Sequence, residues 1–229
     1  MYLSSASPHE ESDMTLQVAF VARDGIVIAS DKKAIGGFGS SKVRKILVEP
    51  KNSIVCAFSG DDLSAAMAQR LIDAPPDTFE DNHAIEVLLN AEIKRAKQIG
   101  KPGGQLIIAA VLKNRRLWRI RLFSKSLAMP IEDKAYGGDD KNPAIFWGER
   151  YYSQSATVDE LTLLAAHIVL EGGKLSRYVG GLDVFTAKDG GAGFLKDVEL
   201  ESLRTKSQDI ARRLAGDLSL DKCADDLWQ

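Results

Sequence analysis

The stretch that most constrains this chain is Thr15-Leu-Gln-Val-Ala-Phe-Val-Ala-Arg-Asp-Gly-Ile-Val-Ile-Ala-Ser-Asp31-Lys-Lys33. It reads as two apolar strands joined at Asp24-Gly25, a dipeptide that tolerates positive φ and suits a tight hairpin turn. A threonine stands at its front, directly after Met14, and a carboxylate–lysine cluster stands at its back. If the mature chain starts at Thr15, one residue carries both a nucleophilic hydroxyl and a free amine.

A chain of 229 residues fits one domain, or at most a tight pair, and can bury roughly three quarters of its unfolded surface. Its net charge of −2 argues against nucleic acid or an anionic membrane as the main partner. No apolar run approaches the ~20 residues needed to span a bilayer. Residues 1–13 are polar and acidic, with neither a basic n-region nor an apolar h-region. They read as a disordered tail or removable leader, not a secretory signal. Cys56 and Cys223 form no metal-ligand spacing. Cys56 lies in the apolar run Ile54–Phe58 and reads as a small buried hydrophobe, a usage consistent with a reducing cytoplasm. No cofactor is expected, and the expected location is cytoplasmic.

After the hairpin, 35–41 reads as a flexible loop. Lys42–Glu49 and Ser53–Phe58 read as strands turned at Pro50-Lys-Asn52. Ser59–Asp62 offers cap oxygens to a helix from Leu63 to about Ala74, stopped by Pro75-Pro76. A second helix starts near Thr78–Asp81 and keeps helical spacing through Ile85, Leu88, Leu89, Ile93 and Ala96 to Gly100. Gln105–Leu112 and Leu117–Phe123 read as strands turned at Lys113-Asn-Arg115. A short helix over Ala144–Tyr151 follows. The next helix starts at Thr157, with Glu160 three residues on as a capping box, continues to Leu170, and ends at Gly172-Gly173. Gly180–Ala187 and Gly193–Leu195 read as strands turned at Asp189-Gly190-Gly191, and Val198–Leu214 as an amphipathic helix with Leu203, Ile210 and Leu214 on one side. Grouped strands and grouped helices argue for packed antiparallel sheets covered by helix pairs, not a parallel βαβ sheet. The expected organisation is 1–14 as a leader or mis-assigned start, 15–215 as a single domain and 216–229 as a tail.

At the hairpin, a free α-amine with a pKa near ~7.8 is partly unprotonated at neutral pH, so Thr15 can serve as nucleophile and base together. A nearby lysine depresses that amine's pKa, and a carboxylate fixes the lysine. Asp31 and Lys45, at strand ends that flank Thr15, are the candidates. Gly60, at a strand-to-helix junction, is the candidate to present its N–H to an oxyanion.

These residues carry a resemblance. Thr15-Leu-Gln-Val, then Arg23-Asp24-Gly25-Ile-Val-Ile-Ala-Ser-Asp31-Lys-Lys33, Arg44-Lys45-Ile46 and Phe58-Ser59-Gly60-Asp61 resemble the start of a proteasome-type β subunit. The match is similar to both true proteasome β chains and the bacterial relative HslV. It extends, more weakly, through Asn142-Pro143, Thr157-Val-Asp-Glu160 and 180–190. The resemblance implies an α+β fold, the four-layer αββα sandwich of N-terminal nucleophile hydrolases. Within it Thr15 matches the catalytic threonine, Asp31 the buried acid, Lys45 the pKa-lowering lysine and Gly60 the oxyanion-hole glycine. Phe58 falls near the position that shapes the substrate pocket, implying an apolar preference. The implied activity is a threonine-type endopeptidase acting on peptide or unfolded protein inside a homo-oligomeric ring, fed by an ATPase unfoldase cap.

The chain departs from the family pattern at three places. Gly137-Gly138-Asp139-Asp140-Lys141-Asn142 replaces the usual Gly-Ser-Gly before the proline, so the serine that assists the amine is missing, with Asp139 or Asp140 as carboxylate substitutes. Ser176 and Val179 are the nearest residues to the pattern's aspartate and serine ahead of Gly180-Gly181. Met14, not glycine, precedes the threonine, as in the HslV arrangement. These departures support an alternative, a ring subunit that keeps the fold and has lost peptidase activity. A further alternative is an amidase of the same fold acting on a small amide. On the plainer side, Asp31 and Lys45 can form an ordinary surface ion pair. Lys32, Lys33, Lys42 and Arg44 read as mostly solvated, His83 as a surface helix residue and His167 as part of an amphipathic helix that packs against the sheet. Trp118, Trp147 and Trp228 read as packing or interface residues, not a ligand cage, and Asp221, Asp225 and Asp226 as a frayed tail.

Overall fold

A computed structural model describes residues 15–36, 39–49, 54–60, 62–96, 104–110, 115–122, 125–188 and 191–217. The expected leader, the turns at 50–52 and 113–114, the helix end at 100, the turn at 189–190 and the tail with Cys223 and Trp228 lie outside the described residues.

The hairpin forms from β1 (Leu16–Ala22) and β2 (Gly25–Ser30), in antiparallel register from Gln17↔Ser30 to Ala22↔Gly25. That register makes Arg23 and Asp24 the turn, one residue earlier than the sequence pattern suggests, and neither Asp24 nor Gly25 has a positive φ. Gly25 is needed for a different reason. A Cβ there would lie 1.9 Å from the Ala187 carbonyl oxygen on the neighbouring strand. The turn is instead held from outside: Arg23 N–H donates to Ala156 O (3.0 Å), and Asp24 Oδ1 accepts from Val158 N–H (2.8 Å). Val158 opens a helix, where a carboxylate meets free N–H groups and the positive end of the dipole.

Two five-stranded antiparallel sheets and five helices make up the described chain. The remaining strands are β3 (Lys33–Gly36), β4 (Gly39–Lys42), β5 (Ile46–Glu49), β6 (Ile54–Gly60), β7 (Gly104–Ala110), β8 (Arg116–Arg121), β9 (Leu127–Ile131), β10 (Lys134–Gly138), β11 (Asp183–Lys188) and β12 (Gly191–Phe194). The helices are α1 (Asp62–Ile72), α2 (Asn82–Ala96), α3 (Ile145–Tyr151), α4 (Val158–Leu175) and α5 (Asp197–Asp217). One sheet runs β10-β1-β2-β11-β12 and the other β5-β6-β7-β8-β9, with β3-β4 as a separate small hairpin.

Strand alternation assigns side chains to three buried clusters. Leu16, Val18 and Phe20 of β1 pack with Leu161, Ala165 and Val169 of α4. Their neighbour Ala19 joins Ile26 and Ile28 of β2 against Val55, Ala57, Ile107 and Leu117 of the other sheet. Cys56, Leu106, Trp118 and Ile120 point the opposite way, onto Met67 and Leu71 of α1 and Ile85 and Leu89 of α2. Cys56 is fully buried, as expected, and burial raises its thiol pKa.

Several sequence expectations need correction. The strand expected over Lys42–Glu49 is two pieces, because Lys42 ends β4 and Lys45 leaves the ladder before β5 begins. The loop expected at 35–41 lies largely within the β3-β4 hairpin. The second helix starts later, at Asn82, after a 3-10 turn over Pro76–Phe79. The strand expected from Gly180 begins at Asp183. β9 and β10 have no counterpart in the sequence reading. β9 contains Pro130, which argues against a central strand, and it lies at a sheet edge where a missing N–H is tolerated. α4 does not stop at Gly172-Gly173 but runs to Leu175. A Cβ on Gly172 would come within 2.3 Å of Leu16 Cδ2, so this glycine lets the helix approach β1. The capping box forms as expected: Thr157 Oγ1 accepts from Glu160 N–H (3.3 Å), and Glu160 Oε2 accepts from Thr157 N–H (2.8 Å). His83 is exposed. The helix that carries His167 packs on the sheet as expected. The His167 ring itself lies among helices, with Nδ1 2.8 Å from Ser207 Oγ of α5 and its ring edge-on to Trp147 of α3.

Two outcomes follow. Gly25→Ala forces a methyl into the Ala187 carbonyl and is expected to cost about 1–3 kcal/mol, read as a lower urea midpoint. Burial lowers the His167 pKa below its ordinary 6.5. The folded state then binds fewer protons than the unfolded, so the stability this group contributes is complete above pH 6.5 and is lost on acidification through the folded pKa. His167→Asn should flatten that part of the urea midpoint against pH.

Candidate active site

Three strand ends meet at one point. Thr15 immediately precedes β1, Asp31 immediately follows β2, and Lys45 immediately precedes β5. The hairpin register brings the first two together, and Asp31 N–H donates to Leu16 O (3.1 Å). Lys45 reaches across from the other sheet. Its Nζ donates to Thr15 Oγ1 at 2.7 Å, to Asp31 Oδ1 and Oδ2 at 3.0 and 3.1 Å, and to the Lys33 carbonyl oxygen at 2.6 Å. An ammonium has three protons, so four acceptors surround it.

Asp31 is held from the other side by main chain. Its carboxylate accepts from Leu16 N–H (3.1 Å), Lys33 N–H (2.9 Å) and Gly180 N–H (3.4 Å). Asp31 is 0% exposed and both Lys45 and Thr15 are 6% exposed, which rules out the ordinary surface ion pair. Burial raises the Asp31 pKa, while Lys45 and the main-chain donors oppose it. Burial likewise lowers the Lys45 pKa, against the pull of Asp31. The N–H donors at Asp31 favour its ionised form, and a carboxylate there in turn favours the ammonium. The arrangement therefore presents a threonine oxygen to a cation while leaving the hydroxyl's own proton directed elsewhere.

The other expected residues lie close by. Phe58 N–H donates to Lys45 O (3.0 Å), and Phe58 O accepts from the Gln17 side chain. Its half-buried ring packs against the cluster of α1 and α2. Gly60 ends β6, exposed and with φ 109°, where a side chain would be strained. α1 begins two residues later, at Asp62, which makes the strand-to-helix junction. Arg44 is more than a solvated charge: its Nε lies 3.0 Å from Asp183 Oδ2, and its guanidinium sits 4.1 Å over the Phe194 ring.

The departures from the family pattern also have definite places. Gly138, with φ 77°, lies so close to Thr15 that a Cβ would meet its carbonyl oxygen at 1.8 Å. Asp139 N–H donates to that same oxygen at 2.7 Å, and Asn142 Nδ2 donates to Asp139 Oδ2 at 3.2 Å. Ser176 caps α4, its Oγ accepting from Tyr178 N–H at 3.3 Å, and Val179 is buried. The sequence reading misses the contributions of Lys33 O, of the N–H groups of Leu16, Lys33 and Gly180, and of Gln17. Only Gly180 was signalled, by its glycine pair. Among the described residues no three His, Cys, Asp or Glu side chains gather as a metal site, and no helix is long and apolar enough to cross a membrane.

No family model and no curated protein matches the sequence. Solved structures do. The chain is similar to an Anbu (Gly-1) mutant from Hyphomicrobium sp. strain MC1, with TM-score 0.67 and 14% identity over 88% of this chain and 96% of that one. Anbu from the same strain gives 0.66 and 14%, over 88% and 97%. Anbu (ancestral beta-subunit) from Yersinia bercovieri gives 0.66 and 15%, over 88% and 96%. At such identity the likeness shows the fold. It also corrects the assignment suggested by the sequence resemblance: these neighbours are Anbu, a distinct proteasome-like relative, and not true proteasome β chains or HslV.

Removing the lysine tests the energetics of the cluster. Lys45→Met leaves the Asp31 carboxylate buried without its cation and is expected to destabilise the fold by about 3–5 kcal/mol. Lys188→Met, which breaks an exposed pair with Asp159, should leave the urea midpoint close to that of the parent, because water screens such a pair.

Proposed function

We propose that this chain is a proteasome-related subunit acting as a threonine-type peptidase, with a four-layer αββα arrangement of its sheets and helices. The observation that supports this most is the 2.7 Å approach of buried Lys45 Nζ to Thr15 Oγ1, with Asp31 behind the lysine. Processing before Thr15 frees its amine. That amine takes the hydroxyl proton, Oγ attacks a peptide carbonyl, and the Gly60 N–H receives the oxyanion. The acyl-enzyme is then resolved by water. Lys45 and Asp31 keep the amine neutral and the oxygen oriented. Phe58 borders the substrate pocket. Residues 15–215 act as one domain within a cytoplasmic homo-oligomeric ring, which an ATPase unfoldase supplies with unfolded polypeptide.

A second reading, an inactive structural subunit, is favoured by one feature. The assisting serine is missing, and of its candidate substitutes Asp139 and Asp140, Asp139 has a described contact with Thr15 that is made by its backbone N–H.

Mass spectrometry of the native protein and a fluorogenic peptide assay decide between them. The peptidase reading expects a mature chain beginning at Thr15 and a fall of at least about 10³-fold in Thr15→Ala. A chain that retains residues ahead of Thr15, or equal rates for the variant and the parent, overturns it in favour of the structural subunit.

A further inference from the structure

On the opposite side of the β10-β1-β2-β11-β12 sheet from the other sheet, α3, the first half of α4 and the last turns of α5 enclose a groove of about 510 Å³. Trp147, Tyr151, Leu164, His167 and Ile210 line it, and Arg213 stands at its α5 end. None of these takes part in the Thr15 cluster. The groove is more open than the rest of the apolar interior: Tyr151, which lines it, is 57% exposed. Its volume suits a few side chains of an amphipathic segment laid into a helical groove.

We propose that residues 218–229 of the same chain fold back and occupy this groove. Chain continuity is the first reason. Leu214 of α5 lines the groove and α5 is described to Asp217, so the segment starts about one helical turn away. Twelve residues reach up to ~40 Å at ~3.3 Å each, ample for the return. Residue pattern is the second reason. Leu220, Cys223, Ala224 and Leu227 recur at i, i+3, i+4 and i+7, one apolar helical stripe, with Trp228 next to it. Charge is the third. Asp221, Asp225 and Asp226 stand on the polar side of that stripe; the lining holds one base, exposed Arg213 on α5 next to the tether, and one acid, Glu160 on α4. An amphipathic segment tethered beside an apolar groove has a high effective concentration there, which favours it over free occupants.

The cysteines allow a direct test in the full chain. The sequence contains two, and Cys56 is fully buried with its thiol pKa raised by burial, so Cys223 is the reactive one. Tyr151→Cys places a thiol on the groove rim, and Val87→Cys places one on α2, 54% exposed and packed on the other sheet. Leu163→Cys, on α4 and lining the groove, is a second rim reporter in case Tyr151→Cys does not fold. Under mild oxidation the rim variants should form an intramolecular disulfide with Cys223 at least tenfold faster than Val87→Cys, read from linked tryptic peptides. Adding Arg213→Glu to a rim variant should slow it several-fold. Equal rates at rim and α2 positions overturn the proposal. A disulfide joining two chains, seen at twice the mass without reductant, also overturns it and makes a second copy the occupant.

Discussion

The contact between Lys45 and Asp31 is the constraint around which the two sheets are set against each other. Asp31 belongs to the end of β2 in one sheet and Lys45 to the entrance of β5 in the other. Two opposite charges withdrawn from water this completely lose their hydration, and the loss is offset only if every hydrogen-bonding direction is filled. Here the filling comes from main chain drawn in from separate parts of the sequence: Leu16, Lys33 and Gly180 donate to the carboxylate, and Lys33 O receives the lysine. The pair thus ties the start of β1, the β2-β3 junction, the segment before β11 and the entrance to β5 to one geometry. Thr15 is presented to the lysine as part of the same closure.

Close backbone approach is the second organising theme. The Thr15 carbonyl accepts from Asp139 and lies where a side chain on Gly138 would have to go. Ala187 O occupies the space above Gly25, and Leu16 that above Gly172. Each contact seats a neighbour of the hairpin directly against it: β10 on one side, β11 on the other, α4 across the face. The hairpin that carries the threonine is consequently held by packing on three sides before any side-chain hydrogen bond is considered.

The nearness of Thr15, Asp31 and Lys45 was legible because side-chain chemistry and strand ends are both written in residue type: a hairpin's length determines which residues finish together. The capping box at Thr157 was legible for the same reason, since the two side chains involved name it. What the sequence did not disclose was carried by backbone. The turn shifted to Arg23-Asp24 because Ala156 and Val158 anchor it, a long-range influence with no local signature. Gly172-Gly173 resembled a helix stop because a glycine needed for contact and a glycine needed for termination look identical in one dimension. β9 went unread because Pro130 disguises an edge strand. The donors to Asp31 are N–H groups, which every residue but proline possesses, so no residue type could announce them. The family assignment was corrected differently: short motifs around an active site are shared among relatives, and the structures this fold resembles are Anbu.

The surplus of acceptors around Lys45 carries a consequence for any chemistry at Thr15. With three protons and four oxygens within reach, the ammonium is already sharing, and Asp31 with the Lys33 carbonyl can absorb all three without the threonine. The hydroxyl oxygen is thus the one ligand free to depart. In the proposed reaction it would leave for the electrophile and return, and at no stage would a buried positive charge be left with an idle proton.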